Sequence, residues 1–162
     1  FEDENSAEKP YWVDVGTIES YYKASMDLLN VNPEFNLYDS NWPLRTKQQQ
    51  SPPAKTLSHE GERVGRAINS LITDGTIISG GLVERSILGP SVRVNSYTYI
   101  TDSIIMDRCN IGRHAKIRRA IIDKNVSVPE HEEIGFDPDI DKKRFTVTET
   151  GIVVIPKNYK FV

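Results

Sequence analysis

Residues 71–134 read LITDGTIISGGLVERSILGPSVRVNSYTYITDSIIMDRCNIGRHAKIRRAIIDKNVSVPEHEEI. Counting from Leu71 in repeated steps of 6, 6 and 5 residues, every position reached is leucine, isoleucine or valine. The positions are Leu71, Ile77, Val83, Leu88, Val94, Ile100, Ile105, Ile111, Ile117, Ile122, Val128 and Ile134. So regular a period predicts a solenoid, in which each coil buries its aliphatic side chains against the next coil.

The positions two residues before these aliphatics hold mostly small side chains. They are Gly75, Gly81, Ser86, Val92, Thr98, Ser103, Cys109, Ala115, Ala120 and Val126. One large aliphatic and one small residue on each of three short strands predict a triangular coil of about 17 residues. An antiparallel β-sandwich is the alternative, but it predicts paired alternation and turn clusters rather than a fixed step. In a solenoid, a charge at Ile105 or Ile117 is expected to break the stack.

The segments on either side of the repeat have a different character. Residues 17–30 (TIESYYKASMDLLN) have the spacing of an amphipathic helix, with Thr17 as N-cap and an apolar stripe of Ile18, Tyr22, Met26 and Leu29. Residues 32–62 are irregular and rich in proline, which is typical of a linker. After an acidic stretch, Phe145–Thr148 and Gly151–Ile155 are β-branched segments, predicted to be short strands that close the end of the solenoid.

Length and composition favour one main globular body. The 162 residues carry a formal net charge of −3, which gives no general argument for nucleic-acid binding. No run of 18 apolar residues is present and the chain opens with the polar FEDENSAEKP, so we expect neither a membrane span nor a signal peptide, and a cytosolic location. The single cysteine, Cys109, cannot form an internal disulfide and fits a reducing compartment.

Three stretches, taken in order, resemble one enzyme family. YWVDVGT (residues 11–17) is similar to the end of the nucleotidyltransferase domain of sugar-nucleotide pyrophosphorylases, and NWPLRT (41–46) with PPAK (52–55) to the linker of the ADP-glucose enzymes. The repeat is similar to their β-helix, including the segments NSL (69–71), AIIDK (120–124) and GIVVIPK (151–157). Over nearly its whole length the chain therefore resembles the ADP-glucose pyrophosphorylases, also called glucose-1-phosphate adenylyltransferases.

The resemblance implies a fold and a division of the chain. The fold is a left-handed parallel β-helix of hexapeptide repeats, preceded by a helix and linker from an α/β nucleotidyltransferase domain. The expected parts are a nucleotidyltransferase remnant (1–43), a linker (44–66), the β-helix (67–135) and capping strands (136–162). The family's glycine-rich nucleotide loop is missing and the chain begins at Phe1 without an initiator methionine, so we expect a fragment that is inactive alone.

The same resemblance implies an activity. The family joins ATP and glucose 1-phosphate into ADP-glucose and pyrophosphate with Mg²⁺ as cofactor, for glycogen or starch synthesis. We expect a homo-oligomer, a tetramer, that responds to phosphorylated metabolites. The location is the cytoplasm, or the plastid in a plant.

Individual site residues follow from the resemblance. Asp14 matches the position that helps hold the catalytic metal, and Trp12 one beside the bound sugar phosphate. The residues alone allow a simpler interpretation, in which Trp12 belongs to a core and Asp14 caps the turn at Gly16. Lys124 and Lys157 match positions that bind activating phosphosugars or phosphoglycerate, each as a point charge on a phosphate.

Other basic and ring-bearing residues leave alternatives open. A local excess of positive charge between residues 108 and 124 suits phosphorylated metabolites but also the solvated corners of a solenoid: Arg108, Arg113, Lys116, Arg118, Arg119 and Lys124. His114 and His131 lie one coil apart, with Tyr97 one coil earlier, so we expect their rings to stack. The rival hypothesis is a free-standing, trimeric acyltransferase or carbonic-anhydrase-like solenoid, in which histidines act as general base or hold zinc, although His59 falls in the linker.

Overall fold

The computed structural model describes residues 11–41, 43–45, 50–59, 61 and 63–161. Its chain forms two compact units, residues 1–50 and residues 51–162. Trp42 and Thr46 of the NWPLRT motif lie outside the described residues. Neither helix of the described part combines the length and apolar character needed to cross a bilayer.

In its described residues the first unit contains one helix, α1, at Ile18–Asp27. Thr17 is its N-cap as predicted, because the Thr17 hydroxyl accepts from the Ser20 backbone N–H while the Ser20 hydroxyl accepts from the Thr17 N–H. The helix ends three residues earlier than the predicted span to Asn30, since residues 28–30 form a turn. Of the predicted stripe, Tyr22 is buried, Met26 and Leu29 are half-buried and Ile18 is exposed.

The second unit is built from three parallel sheets, each receiving one short strand from every coil. The first sheet contains β1 (Lys55–Leu57), β4 (Ile77–Ser79), β7 (Arg93–Val94), β10 (Asn110–Ile111) and β13 (Ser127–Val128). The second contains β2 (Arg66–Ile68), β5 (Leu82–Glu84), β8 (Tyr99–Thr101), β11 (Lys116–Arg118) and β14 (Glu133–Ile134). The third contains β3 (Leu71–Ile72), β6 (Ile87–Leu88), β9 (Ile104–Ile105), β12 (Ala120–Ile122) and β16 (Val153–Ile155), with β15 (Thr146–Val147) antiparallel on β16. The predicted fold class, a left-handed parallel β-helix of hexapeptide repeats, is confirmed.

In each strand from β3 to β14, and in β16, one large aliphatic points into the centre of the prism, whereas the matching residues of β1 and β2 are Thr56 and Ala67. Strand register stacks Val83, Ile100, Ile117 and Ile134 on one side, Val94, Ile111 and Val128 on the second, and Leu88, Ile105, Ile122 and Ile155 on the third. These side chains are at most 2% exposed. Burial of apolar area at roughly 25 cal/mol per Å² makes these three ladders the main source of stability.

The predicted ladder is wrong in the first coil. Leu71 pairs with Ile87 and Ile77 with Arg93, so both lie on the outward positions, and Ile72 and Ile78 take the inward ones. Hydrogen bonds between coils show the reason: Ser103 N–H donates to the Ser86 hydroxyl 17 residues earlier, whereas Ser86 N–H donates to Ser70 only 16 residues earlier. The first coil is therefore one residue shorter than those that follow.

The small residues before the aliphatics are buried, as the pattern requires. Ser86, Val92, Thr98, Ser103, Cys109, Ala115, Ala120 and Val126 are all 2% exposed or less. In the shortened first coil the corresponding residue is Thr76, fully buried, rather than Gly75. A larger side chain at these positions would occupy the space that the next coil fills.

Each coil turns at three corners, and every corner places one residue in the left-handed region of backbone space. The asparagine corner holds Ser91, Arg108, Asn125 and Asn158. The ring corner holds Gly80, Tyr97, His114 and His131. The arginine corner holds Asn69, Arg85, Asp102 and Arg119. The non-glycine residues have φ between 42° and 62°, a strained conformation that the hydrogen bonds between coils maintain.

Strands also occur beyond the predicted limits of the repeat. β1 lies within the segment 44–66 predicted as a linker, and it pairs with β4. The two predicted C-terminal strands are confirmed as β15 and β16, and β16 extends the third sheet by pairing with β12. Between them and the repeat lies α2 (Pro138–Arg144), in the stretch interpreted only as acidic.

We predict that Ile117→Asp prevents folding, because a carboxylate cannot be solvated inside the prism. The cost should exceed about 5 kcal/mol, comparable with the whole stability of a small domain. Ile117→Val should cost only about 1 kcal/mol. Circular dichroism and thermal unfolding measure both. Lys116→Asp is the matched control, since this neighbour points outward in an exposed ion pair with Glu133, and a loss as large as that of Ile117→Asp would contradict the ladder.

Asp141 should make stability depend on pH. It is 2% exposed, accepts a hydrogen bond from Gly135 N–H at 2.9 Å, and burial raises the pKa of its carboxyl above 3.8. Because the folded chain holds this proton more tightly than the unfolded chain, the contribution is present below pH 3.8 and is lost as pH rises through the folded pKa. Urea unfolding at several pH values should therefore show that Asp141→Asn gains stability relative to the parent above that window. Exposed Asp139→Asn is the control, and equal pH profiles for all three proteins would contradict the assignment.

Candidate functional site

Asp14 lies in an exposed turn just before α1. Its Oδ1 accepts a hydrogen bond from Gly16 N–H at 3.0 Å, and the next residue, Thr17, caps the helix. Trp12 is 74% exposed, so it is not part of a core formed by the described residues. Within the described residues Asp14 thus caps the turn, as the simpler interpretation has it, and Trp12 joins no core.

The donor chemistry at Asp14 suits one ligand of a magnesium ion. Mg²⁺ binds one or two carboxylates and completes its octahedron with water and substrate phosphates. The bond to Gly16 uses Oδ1, so Oδ2 is the oxygen that can face a cation. Within the described ranges, no group of three or more histidine, cysteine, aspartate or glutamate residues is arranged to hold a metal. Asp14 can therefore supply one ligand of a magnesium ion, and further ligands are needed to complete the site.

Lys124 and Lys157 lie at equivalent places in neighbouring coils. Each follows a strand of the third sheet by two residues, and those strands pair Ile122 with Ile155. Each also directly precedes an asparagine in the left-handed conformation, and Asn158 N–H donates to the Lys124 carbonyl at 3.0 Å. The two lysines, distant in sequence, are thus stacked on the asparagine corner.

A ladder of amide and guanidinium groups fixes the asparagine corner. Arg108 Nε donates to Asn125 Oδ1 at 2.8 Å, and Asn125 Nδ2 donates to Asn158 Oδ1 at 3.0 Å. Lys124 is half-buried, with its N–H bonded to Asp123 Oδ1, while Lys157 is exposed. The asparagine corner thus carries two lysines in neighbouring coils beside a rigid backbone, and two such cations suit an anion with several oxygens.

The sequence did not indicate the ladder of Arg108, Asn125 and Asn158. Its signal is asparagine at a spacing that returns to the same corner, since asparagine tolerates the left-handed conformation. This asparagine spacing becomes recognisable only once the coil length is known and α2 is known to lie between Asn125 and Asn158.

The remaining predicted cations do not form one site. Arg113 precedes His114 at the ring corner, whereas Arg119 lies at the arginine corner and donates to the Thr150 carbonyl at 3.1 Å. Lys116 pairs with Glu133 at 2.8 Å, and Arg118 donates to the Gly135 carbonyl. The local excess of positive charge is therefore spread around the prism, largely in contacts between coils.

The predicted stacking of rings is confirmed. Tyr97 and His114 have ring centroids 4.9 Å apart and planes 15° apart, and His114 and His131 follow at 4.7 Å and 2°. Both faces of the His114 ring are thus covered, which leaves only its edge for chemistry.

Burial raises the pKa of the Cys109 thiol, so this residue has the character of a packing group rather than a nucleophile.

Comparison with known proteins identifies the family. A family model described as "GlmU-like, C-terminal hexapeptide" matches residues 52–155. The glucose-1-phosphate adenylyltransferase of Koribacter versatilis is 48% identical over 159 residues, which is 98% of this chain and 38% of that protein. Those of Deinococcus deserti and Anaeromyxobacter sp. are 50% and 53% identical, each over 93% of this chain and 37% of their own length.

The chain thus spans less than two fifths of the length of these relatives. The family match covers the coils from β1 to β16, and the identity extends across α1 as well. The chain therefore belongs to the glucose-1-phosphate adenylyltransferase family and carries a GlmU-like C-terminal hexapeptide domain.

Proposed function

We propose that this chain is the regulatory and assembly part of an enzyme that joins ATP and glucose 1-phosphate into ADP-glucose and pyrophosphate. The enzyme would supply glycogen or starch synthesis, in the cytoplasm or in a plastid. The observation that carries the regulatory role is the stacking of Lys124 and Lys157 on one corner, although 33 residues separate their layers. From the sequence alone, only the family resemblance connected Lys124 with Lys157.

The asparagine corner supports binding of a phosphorylated activator. A phosphate presents three oxygens, so two ammonium groups one coil apart can contact the same phosphate or two phosphates of one metabolite. The strand pairing below them and the amide ladder beside them hold their backbones at a fixed spacing. Little ordering is then needed when the ligand binds, which favours affinity.

The catalytic contribution of this chain is proposed to come from Asp14 and Trp12. When bound, Mg²⁺ would neutralise charge on the transferring phosphoryl group. Asp14 Oδ2 would be one of its ligands, while the Gly16 N–H fixes the carboxylate through Oδ1. The exposed ring of Trp12 would support the apolar face of the sugar. The remaining ligands and the nucleotide site would belong to other parts of the enzyme.

Assembly is the second role of the solenoid in this proposal, with four copies forming the enzyme. The alternative of a free-standing acyltransferase or carbonic-anhydrase-like trimer requires a histidine at a reacting atom or a metal. The stack at the ring corner argues against that use, since His114 lies between Tyr97 and His131.

Replacing Lys124 by alanine in the complete enzyme should raise the activator concentration for half-maximal activation by roughly tenfold to a hundredfold, the effect of one charged hydrogen bond. Lys157→Ala should act in the same direction. If both lysines contact one ligand, the double variant should show less than the product of the two effects. Steady-state activation curves measure all three.

Lys143→Ala is the matched control, because it removes one exposed lysine from α2. Its activation curve should coincide with that of the parent. An unchanged curve for Lys124→Ala would remove this lysine from the site, and equal shifts for all three lysines would indicate a general charge effect instead.

Asp14→Asn should lower kcat of the complete enzyme by at least about a hundredfold and raise its requirement for Mg²⁺. Asparagine keeps an oxygen for the Gly16 N–H, so the turn before α1 should persist. Asp27→Asn, at the exposed end of α1, is the control for loss of one negative charge. Normal turnover and an unchanged Mg²⁺ dependence in Asp14→Asn would show that this carboxylate only caps the turn.

A further inference from the structure

Arg108 lies at the asparagine corner, one coil before Lys124 and Asn125. Its φ is 56°, and the Asn125 N–H donates to the Asp107 carbonyl at 3.0 Å, so the two coils are in direct contact at this corner. The Arg108 side chain reaches toward the later coil, because its Nε donates to Asn125 Oδ1 at 2.8 Å. Its guanidinium therefore lies beside the coil that carries Lys124, and the coil of Lys157 follows next.

A purely structural role is the simplest explanation of this contact. At the arginine corner, Arg85 Nε donates to Asp102 Oδ1 in the next coil at 2.7 Å, so a bond from an arginine to the following coil occurs elsewhere in the prism. The charges differ, however, because the Asp102 carboxylate neutralises Arg85. Asn125 is neutral, so the residue that holds Arg108 does not neutralise its charge.

The cations of the asparagine corner have no ion pair in the part of the chain that the structure describes. No carboxylate of that part pairs with Arg108, Lys124 or Lys157. The Nη groups of Arg108 make no hydrogen bond to any described residue, and the side chain is exposed. Neighbouring coils are about 4.8 Å apart, a distance at which like charges repel. An anion bound at this corner would remove the repulsion.

The charge of the corner exceeds what one phosphate can neutralise. A phosphate monoester carries a charge of about −1.5 to −2 at pH 7, so two ammonium groups match it. Lys124 and Lys157 supply those two, each as a point charge. The guanidinium of Arg108 is a third charge of a different shape, a planar fork that can donate two parallel hydrogen bonds to a carboxylate or to a further phosphate.

We propose that Arg108 belongs to the activator site and selects metabolites that carry a second oxyanion in addition to their phosphate. The phosphate lies at Lys124 and Lys157, and the Nη groups of Arg108 donate to the second oxyanion, a carboxylate or another phosphate. Asn125 holds the fork in place through Nε. The inference rests on the activator role proposed for the two lysines, and it adds the residue that decides which ligands bind well.

The test is isothermal titration calorimetry on the full chain with three probes. Glucose 6-phosphate carries one phosphate, 3-phosphoglycerate a phosphate and a carboxylate, and glucose 1,6-bisphosphate two phosphates. At least one of the last two probes should bind roughly tenfold or more tightly than glucose 6-phosphate, the effect of one charge-assisted contact. The tighter of the two identifies the second oxyanion.

Arg108→Gln separates the ligand contact from the structural contact. The glutamine amide nitrogen is as many bonds from Cα as Arg108 Nε is, so it can still donate to Asn125 Oδ1, while the positive charge and the Nη donors are lost. This variant should bind the preferred two-anion probe roughly tenfold or more weakly, and glucose 6-phosphate nearly as the parent does. Arg108→Lys keeps the charge without the fork, so its affinity should lie between those of Arg108→Gln and the parent.

Arg119→Gln is the matched control, because Arg119 is another exposed corner arginine, with φ of 50° and an Nε that donates to the Thr150 carbonyl at 3.1 Å. It belongs to the arginine corner, so its binding curves should coincide with those of the parent. Lys124→Ala should weaken all three probes, since it contacts the phosphate that they share. Thermal unfolding checks that each variant is folded.

Three results would overturn the role of Arg108 and leave the proposed function standing. The first is a parent chain that binds the three probes equally. The second is a folded Arg108→Gln that keeps the preference of the parent. The third is an equal loss for all three probes in Arg108→Gln, which would make Arg108 a general phosphate contact without selectivity. A parent that binds no probe at millimolar concentration, or binding unchanged in Lys124→Ala, would instead remove the activator site itself.

Discussion

The structure depends on one packing constraint: in the strands from β3 to β14, a single large aliphatic side chain must lie directly over its counterpart in the neighbouring coil. Ile100, Ile117 and Ile134 show the constraint on one side of the prism, where all three are fully buried. Parallel pairing fixes the register, and the small residue two places earlier leaves room for the next coil. Shifting one strand by a single residue would turn its aliphatic outward.

The same constraint organises the surface. Because every coil repeats the same three turns, residues far apart in sequence meet at one corner and form columns along the prism. Lysines, asparagines and aromatic rings each use such a column, at the asparagine corner or the ring corner. A regular core thus spaces surface groups one coil apart, the spacing at which the rings of Tyr97, His114 and His131 stack.

The repeat was predictable from sequence because the aliphatic ladder and its small companions occur together. The one-residue shift of register in the first coil was not predictable. Leu71 and Ile72 are neighbouring aliphatics that fit either register, and so are Ile77 and Ile78. β1 was missed for another reason: Thr56 is the β1 residue that pairs with inward Ile78, so no large aliphatic stands at the inward position of this strand. The start of α2 is marked in the sequence by Asp137 as N-cap and Pro138 in the first turn. This helix signal was missed because the stretch around it is rich in acidic residues. The site residues came from resemblance, and sequence could not show that Trp12 is exposed or that both lysines share a corner.

Methyl NOE spectroscopy on the full chain, with isoleucine methyl groups labelled, tests the central packing claim most directly. The account predicts cross-peaks within the series Ile100, Ile117 and Ile134, and within the series Ile105, Ile122 and Ile155, since each series stacks in the interior. With valine methyl groups labelled as well, Ile78 in the first coil should show contacts to its partner Val94, and Ile77 should not. Absence of contacts within these series, or contacts of Ile77 in place of Ile78, would contradict the ladder and the column geometry that follows from it.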